Sequence, residues 1–231
     1  MFIGIVVAVS VLAVVVLLVV LFLQRGREAI DTSPRSLLRA YLYAASFAGL
    51  VALIFGLSSL LNWGIAQAAG YDVVYGGAGG SPRPALVKAC PPGVTGCVEP
   101  NLEEIQRQQE EQQRRQLGEE LLRGITFTVF GAIFYGAHYA ARRGVVGPDE
   151  ARSGLRRAYL ILGTAVFGLA TIVLVPTGLY QLLANAILDT PENLYRPGIA
   201  DSFAPGVVSL VVWLVFLRLI VAETRGSRDA A

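Results

Sequence analysis

Long apolar blocks separated by polar connections dominate the chain. The blocks lie at about Phe2–Leu23, Ala40–Ala66, Leu121–Ala141, Ala158–Ala186 and Phe203–Ala222. Each is near the length of about 20 residues that a helix needs to cross the hydrocarbon of a bilayer. None shows the polar alternation of a barrel strand, and a spanning segment must satisfy its own backbone hydrogen bonds. The pattern therefore predicts an all-α integral membrane bundle of five transmembrane helices.

Composition points to the same class of protein. Hydrophobic residues make up 54% of the chain and charged residues only 16%, whereas charged residues average about 25% in soluble domains. The formal net charge of +2 is too small to favour nucleic acid as a partner. We therefore expect the lipid bilayer and other membrane protein subunits as partners.

The positions of the basic residues predict how the helices are oriented. Cytoplasmic flanks of membrane helices carry an excess of Lys and Arg. With five spans, twelve arginines fall on one side and seven basic residues on the other, which has the longer exposed sequence. This predicts an N-out/C-in protein of a cytoplasmic membrane. The first block has an uncharged start and is followed by Arg25 and Arg27, which favours a membrane anchor over a cleaved signal peptide.

The second and fourth blocks resemble each other. The tetrapeptide Arg-Ala-Tyr-Leu begins at Arg39 and again at Arg157, and a Gly-Leu pair recurs at Gly56 and Gly178. The hypothesis is a duplicated two-helix hairpin, with chance similarity between Leu- and Ala-rich helices as the alternative. The resulting division is an anchor at 1–24, a first hairpin at 36–143 with an extracytoplasmic insert at 67–120, and a second hairpin at 154–225.

The Arg-x-Tyr-Leu openings, with a partner helix whose Gly-Ala-His-Tyr sequence finishes at Tyr139, resemble a bacterial membrane family catalogued only as a domain of unknown function. Members of the family that this chain resembles repeat this hairpin and carry a His–Trp pair near the end of its second helix. The resemblance covers about Ser36–Ala66 with Leu121–Arg143 and extends in part to Gly154–Arg225. Here Tyr139 replaces the Trp, and Arg218 lies near the depth of the second His. The resemblance implies a fold and no catalytic activity.

Small residues predict close packing between the second and third spans. Lipid provides no hydrophobic drive between helices, so small side chains that let backbones approach become important. Two stripes spaced by four residues consist of Ala44, Ala48, Ala52, Gly56, Gly124, Thr128, Ala132 and Gly136. In the fourth span, Pro176 predicts a helix kink or a local break. Such a feature is either structural or, as in some transporters, an opening at a binding site.

The insert contains both cysteines of the chain. Cys90 and Cys97 enclose a turn-prone Pro-Pro-Gly, and disulfides persist outside the cytoplasm. The spacing predicts a disulfide, with two free thiols as the alternative. The rest of the insert, 101–120, carries Glu-to-Arg pairs four residues apart. It predicts a polar helix that is either a solvated strut or a surface for a partner.

Candidate chemistry is sparse. The chain has no paired carboxylates, nucleophile elbow, zinc signature or nucleotide fingerprint, so we expect no enzyme, no metal site and no resident cofactor. His138 is the single histidine. It is a candidate axial ligand for haem or a chlorophyll-type pigment, or else an interfacial side chain beside Arg142 and Arg143.

These observations favour a non-enzymatic accessory or scaffold subunit of a membrane assembly. One alternative is a small transporter or channel for a neutral solute, since no Asp or Glu lies well inside a span. A polar cavity lined by groups such as Asn62, Thr164 or Thr177 would favour it, and a dry interface would exclude it. The other alternative is a haem- or pigment-binding subunit through His138.

The oxidation state and the side of the insert can be tested together. On intact cells, a membrane-impermeant maleimide should label Cys90 and Cys97 only after reduction, because the disulfide protects both thiols and the insert faces outward. The Cys90→Ser/Cys97→Ser variant is the control and should stay unlabelled. Labelling without reductant would contradict the disulfide, and labelling that requires lysis would contradict the orientation.

Overall fold

A computed structural model of the protein describes residues 34–76, 102–146, 154–187 and 198–228. These residues form helices and no strands, which confirms the all-α prediction for this part of the chain. The helices are α1 (Pro34–Ala69), α2 (Tyr71–Tyr75), α3 (Leu102–Val146), α4 (Gly154–Ile187) and α5 (Phe203–Arg228). The predicted anchor at 1–24 and the predicted Cys90–Cys97 disulfide lie outside the described residues.

Three of these helices are long and apolar enough to cross a membrane, which indicates a membrane protein. They are Pro34–Ala69, Gly154–Ile187 and Phe203–Arg225, and they contain the second, fourth and fifth predicted spans. The third predicted span, Leu121–Ala141, lies inside α3, but α3 is not among the three. Its first half is charged, and Gly, Thr, Tyr and His residues dilute its apolar half.

Helices α1 and α3 form the most extensive pair. Four glycines mark the line of contact: Gly49 meets Tyr135, Gly131 meets Leu53, Gly56 meets Thr128 and Gly124 meets Leu60. Residue numbers rise along one helix as they fall along the other, so the two helices are antiparallel. An ideal Cβ on Gly131 would lie 2.5 Å from the backbone nitrogen of Leu53. Only glycine allows this approach without displacing a backbone.

The predicted small-residue stripes meet this contact only in part. Gly56, Gly124, Thr128 and the backbone of Ala52 lie in it. Ala44, Ala48 and Ala132 are exposed, and Gly136 has no neighbouring atom within 4 Å of an ideal Cβ. The spacing of four drifts off one face of a helix with 3.6 residues per turn, whereas a spacing of seven returns to it. The contact glycines Gly49 and Gly56, and Gly124 and Gly131, follow the spacing of seven.

Helices α4 and α5 form a second antiparallel pair. Its close contacts join Gly163 to Phe216, Gly168 to Trp213, Gly206 to Leu174 and Gly178 to Phe203. Two of them repeat the geometry of the first pair. Gly178 lies 122 residues after Gly56, and their partners Phe203 and Thr128 are 75 residues apart. The contact of Gly206 with Leu174 corresponds in the same way to that of Gly131 with Ala52. Gly206 lies 75 residues after Gly131, and Leu174 lies 122 residues after Ala52.

The two helix pairs meet in an aromatic and aliphatic core. Its buried members are Phe47, Leu50, Ile54, Leu160, Phe167 and Phe216. The rings of Phe47 and Phe167 lie 5.7 Å apart, and those of Tyr43 and Tyr159 lie 5.3 Å apart. These contacts place the amino-terminal ends of α1 and α4 at the same end of the bundle. The buried hydroxyl of Thr171 donates to the carbonyl of Phe167 in its own helix.

At the other end of the bundle, α2 packs on the segment that leads into α5. The amides of Ile199 and Ala200 donate to the carbonyls of Val73 and Val74 at 3.4 and 2.9 Å. The side-chain amide of Asn62 donates to the carbonyl of Ala200 at 3.0 Å. Val74 and Ile199 are almost fully buried. This contact ties the end of α1 to the start of α5.

Helix α4 runs through Pro176 as one continuous helix, so the predicted local break does not occur. The physical reason lies in the packing on both sides of the proline. Gly206 contacts Leu174 before it, and Gly178 contacts Phe203 after it. Helix α5 therefore supports α4 across the position where a backbone hydrogen bond is missing. The kink stays a prediction.

The close α1–α3 contact predicts opposite effects at two glycines of the same helix. Gly131→Ala should destabilise the protein by about 1–3 kcal/mol. The new methyl group would overlap with backbone atoms of Leu53, which can move only if α1 is displaced. Gly136→Ala is the matched control and should be neutral or stabilising by up to about 1 kcal/mol, since alanine favours a helix. Thermal midpoints in detergent, followed by tryptophan fluorescence, measure both variants. Equal midpoints would contradict the packing.

Candidate functional site

Arginines gather at one end of the bundle. Those whose side chains the structure describes are Arg35, Arg39, Arg142, Arg143, Arg156, Arg157, Arg218 and Arg225. They come from the starts of α1 and α4, from the last two turns of α3 and from the second half of α5. Glu223 is the one acidic side chain that the described residues place there, 3.7 Å from Arg156 and 3.6 Å from Arg157. This end therefore carries a strong excess of positive charge.

A cavity of about 490 Å³ lies at this end, between the two helix pairs. Its polar lining consists of Tyr135, Tyr139, Arg142, Arg143, Arg156 and Tyr159. The remaining lining is aliphatic and aromatic and comes largely from α5. The cavity thus combines cations and phenol hydroxyls on one side with an apolar wall on the other.

Arg142 occupies the junction of three helices. Its guanidinium carbon lies 4.6 Å from the ring centroid of Tyr43, 5.1 Å from that of Tyr139 and 5.5 Å from that of Tyr159. Each cation–π contact stabilises by about 0.5–1 kcal/mol when exposed and by about 2 kcal/mol when desolvated. Rings from α1, α3 and α4 therefore hold one cation between the helix pairs.

Tyr139 links two of the arginines at the cavity. Its hydroxyl accepts a hydrogen bond from Arg143 at 2.6 Å, and the guanidinium of Arg143 lies 4.6 Å from its ring centroid. Arg142 contacts the same ring. The last turn of α3 thus presents two guanidinium groups that share one aromatic ring and are held close together.

His138 lies beside the cavity but does not line it. Its Nδ1 is 2.8 Å from the carbonyl of Phe134, and because a carbonyl only accepts, Nδ1 carries the proton. Nε2 can then accept from the hydroxyl of Tyr41 at a long 3.5 Å. The ring also packs on Phe134, with 4.1 Å between centroids. The imidazole therefore has a partner at each nitrogen.

The polar groups expected in a solute pathway lie apart. Asn62 binds the backbone of Ala200. Thr177 is exposed and donates to the carbonyl of Val173 in its own helix. Thr164 is 13 residues from Thr177, which is about 20 Å along α4. Among the residues that the structure describes, no group of three or more His, Cys, Asp or Glu side chains is placed to hold a metal ion.

The cluster around Arg142 was not predicted as a site. In the sequence, Arg142 and Arg143 stand out only as neighbours of His138, and Tyr159 only as part of a repeated tetrapeptide. The available signal was local: Tyr135, Tyr139 and Arg142 follow each other at spacings of four and three, which puts them on one face of α3. The contributions of Tyr43 and Tyr159 depend on how α1 and α4 pack.

Comparison with curated proteins and with solved structures gave no match to the chain. A family model matches residues 102–215, which comprise α3, α4 and the first half of α5. The match leaves out α1, which the predicted resemblance included, and it crosses from the first predicted hairpin into the second. The matching family is described as Domain of unknown function (DUF5671), which confirms that this chain resembles a family catalogued only as a domain of unknown function.

Proposed function

We propose that the protein is a non-enzymatic accessory or scaffold subunit of a membrane assembly, with α3 as its contact to a partner outside the bilayer. The observation that carries this proposal is the length and two-part character of α3. The helix has 45 residues, which is about 68 Å at 1.5 Å per residue. The hydrocarbon core of a bilayer is only about 30 Å thick.

The second half of α3 is suited to the membrane. It packs along α1, which is long and apolar enough to span, from the contact of Gly124 with Leu60 to that of Gly49 with Tyr135. Large apolar side chains on its outer surface are exposed: Leu122, Ile125, Val129, Phe130 and Ile133. In water this surface would be costly, whereas lipid accommodates it. These features support a third span at Leu121–Ala141 within the five-span, N-out/C-in arrangement.

The first half of α3 has the opposite character. Its side chains from Arg107 to Gln112 are all exposed. Farther along, Gln116 accepts a hydrogen bond from the hydroxyl of Tyr71, and Arg123 pairs with Glu120 at 3.2 Å. A helix that is polar nearly all round gains little from packing on its own protein. Its projecting surface of mixed charge suits a polar partner.

The interior of the bundle supports this role over solute transport. Beyond the cavity at the arginine-rich end, the buried core between the helix pairs consists of Phe, Leu and Ile side chains. The buried hydroxyls of Ser46 and Thr171 donate to carbonyls of their own helices at 2.7 Å. A path for a neutral solute needs polar groups that face one another, whereas these two hydroxyls face their own backbones.

The repeated glycine contacts support the hypothesis of a duplicated hairpin. Gly56 and Gly131 in the first pair correspond to Gly178 and Gly206 in the second, at constant offsets.

The charge of the projecting half of α3 provides a direct test. Changing Glu104, Glu110 and Glu111 to Lys should lower co-purification of partner polypeptides from native membranes by at least about tenfold, because charge pairing across the contact is reversed. Thermal stability should change little, since each lost pair with an arginine contributes only a few tenths of a kcal/mol.

The matched control changes three neutral side chains on the same segment to Ala: Gln108, Gln109 and Gln112. This variant should keep its partners, which mass spectrometry after extraction in mild detergent identifies. Two results count against the proposal: a native protein that purifies alone even after cross-linking in membranes, and a Lys variant that retains its partners.

The haem or pigment alternative makes a separate prediction. His138→Ala should leave the visible absorption spectrum of the protein from native membranes unchanged, because Phe134 and Tyr41 already engage both ring nitrogens. Tyr41→Phe is the control that frees Nε2 and keeps the ring. A band that is lost in His138→Ala and retained in Tyr41→Phe would favour a ligated cofactor instead.

A further inference from the structure

We propose that the cavity at the arginine-rich end binds the phosphate headgroup of an anionic phospholipid, with Arg142 as its central contact. The proposal concerns a lipid site inside the bundle. It goes beyond the accessory role and does not depend on it.

The charge of this end selects an anionic ligand. Eight arginines whose side chains the structure describes lie here against Glu223. The connection between α3 and α4, whose structure lies outside the described residues, adds Asp149, Glu150 and Arg152, which do not cancel the excess. Basic pockets between membrane helices are suited to the headgroups of anionic lipids.

The geometry around Arg142 is suited to an oxyanion such as a phosphate. Arginine presents a planar fork of N–H donors that matches phosphate oxygens in pairs, and it binds them more specifically than lysine does. The rings of Tyr43, Tyr139 and Tyr159 fix the position of this guanidinium. A positioned arginine loses less side-chain freedom on binding than a mobile one.

The apolar wall distinguishes a phospholipid from a soluble phosphate. Val211, Val215 and Leu219 line the cavity and are 57%, 53% and 44% exposed. Their spacing of four places them in one row along α5, about 12 Å long. Helix α5 is apolar enough to span a membrane, so this row continues into the lipid. An acyl chain that starts near Leu219 can follow this row towards Val211, whereas a soluble phosphate ion has no apolar group to pack against it.

The position of the cavity gives a bound lipid a structural consequence. Its walls come from both helix pairs, with Tyr139 and Arg142 on α3 and Tyr159 on α4. Helices α3 and α4 themselves touch only sparsely. A headgroup that contacts both helices therefore adds a connection between α3 and α4. Lipid binding should for this reason raise the thermal midpoint.

The test uses the full chain in a neutral detergent, with phosphatidylglycerol, phosphatidylcholine or inorganic phosphate added separately. Native mass spectrometry counts retained lipid, and the thermal midpoint reports binding. We expect phosphatidylglycerol alone to be retained and to raise the midpoint. Arg142→Gln should weaken its binding about tenfold, the loss expected for a charge-assisted hydrogen bond. Arg225→Gln, at an exposed arginine of the same end that does not line the cavity, should change it less than about twofold.

A second pair of variants avoids the buried cluster. Val215→Asn places an amide in the apolar wall at an exposed position, so folding should tolerate it while phosphatidylglycerol binding weakens. Val221→Asn, also exposed on α5 but outside the lining, should leave binding unchanged.

Three outcomes would overturn the proposal. Equal binding of phosphatidylcholine would show that the site does not select charge. Displacement of the lipid by millimolar inorganic phosphate, with no effect of Val215→Asn, would assign the cavity to a soluble anion. Equal losses in Arg142→Gln and Arg225→Gln would show only a diffuse attraction to the basic end.

Discussion

Close backbone contact between α1 and α3 is the interaction on which the rest of the described structure depends. In lipid, the apolar side chains of a helix gain nothing by leaving hydrocarbon for a neighbouring helix, so association rests on tight packing. Gly49 and Gly56 on α1, and Gly124 and Gly131 on α3, remove the side chains that would keep the two backbones apart. On another face of α1, Phe47, Leu50 and Ile54 pack against the second helix pair. One helix thus uses small residues for its nearest neighbour and large residues for the more distant ones.

This arrangement also decides where the charges meet. Antiparallel pairing brings the start of α1 to the end of α3 and the start of α4 to the end of α5, and the contact of Tyr43 with Tyr159 aligns the two pairs. Arginines that are scattered along the sequence then collect at one end. Aromatic side chains at the same level pack around Arg142 and stabilise a cation in a region that would otherwise repel it. The cavity follows from this packing.

The sequence was sufficient for the features that repeat or run along one helix. The apolar blocks located α1, α4 and α5, and polarity predicted the helical first half of α3. The stripes of small residues coincide with the α1–α3 contact only in part, because they repeat every four residues whereas the contact glycines repeat every seven. The cavity was missed for a different reason: Tyr43, Arg142 and Tyr159 come from three helices, and no local pattern links residues so far apart. Only the packing of the two helix pairs brings them together.

The two proposed binding surfaces belong to opposite ends of one rigid element. Helix α3 has no proline along its 45 residues, so it lacks the commonest cause of a sharp bend. Its first half projects as a charged surface, and its last two turns supply Arg142, Arg143 and Tyr139 to the cavity. The glycine contacts fix the register between α3 and α1. A shift along the helix axis would bring larger side chains to positions where a glycine now lies against the neighbouring backbone. A partner at one end and a lipid at the other would therefore contact the same helix, and α1 connects that helix to the second pair through the aromatic core.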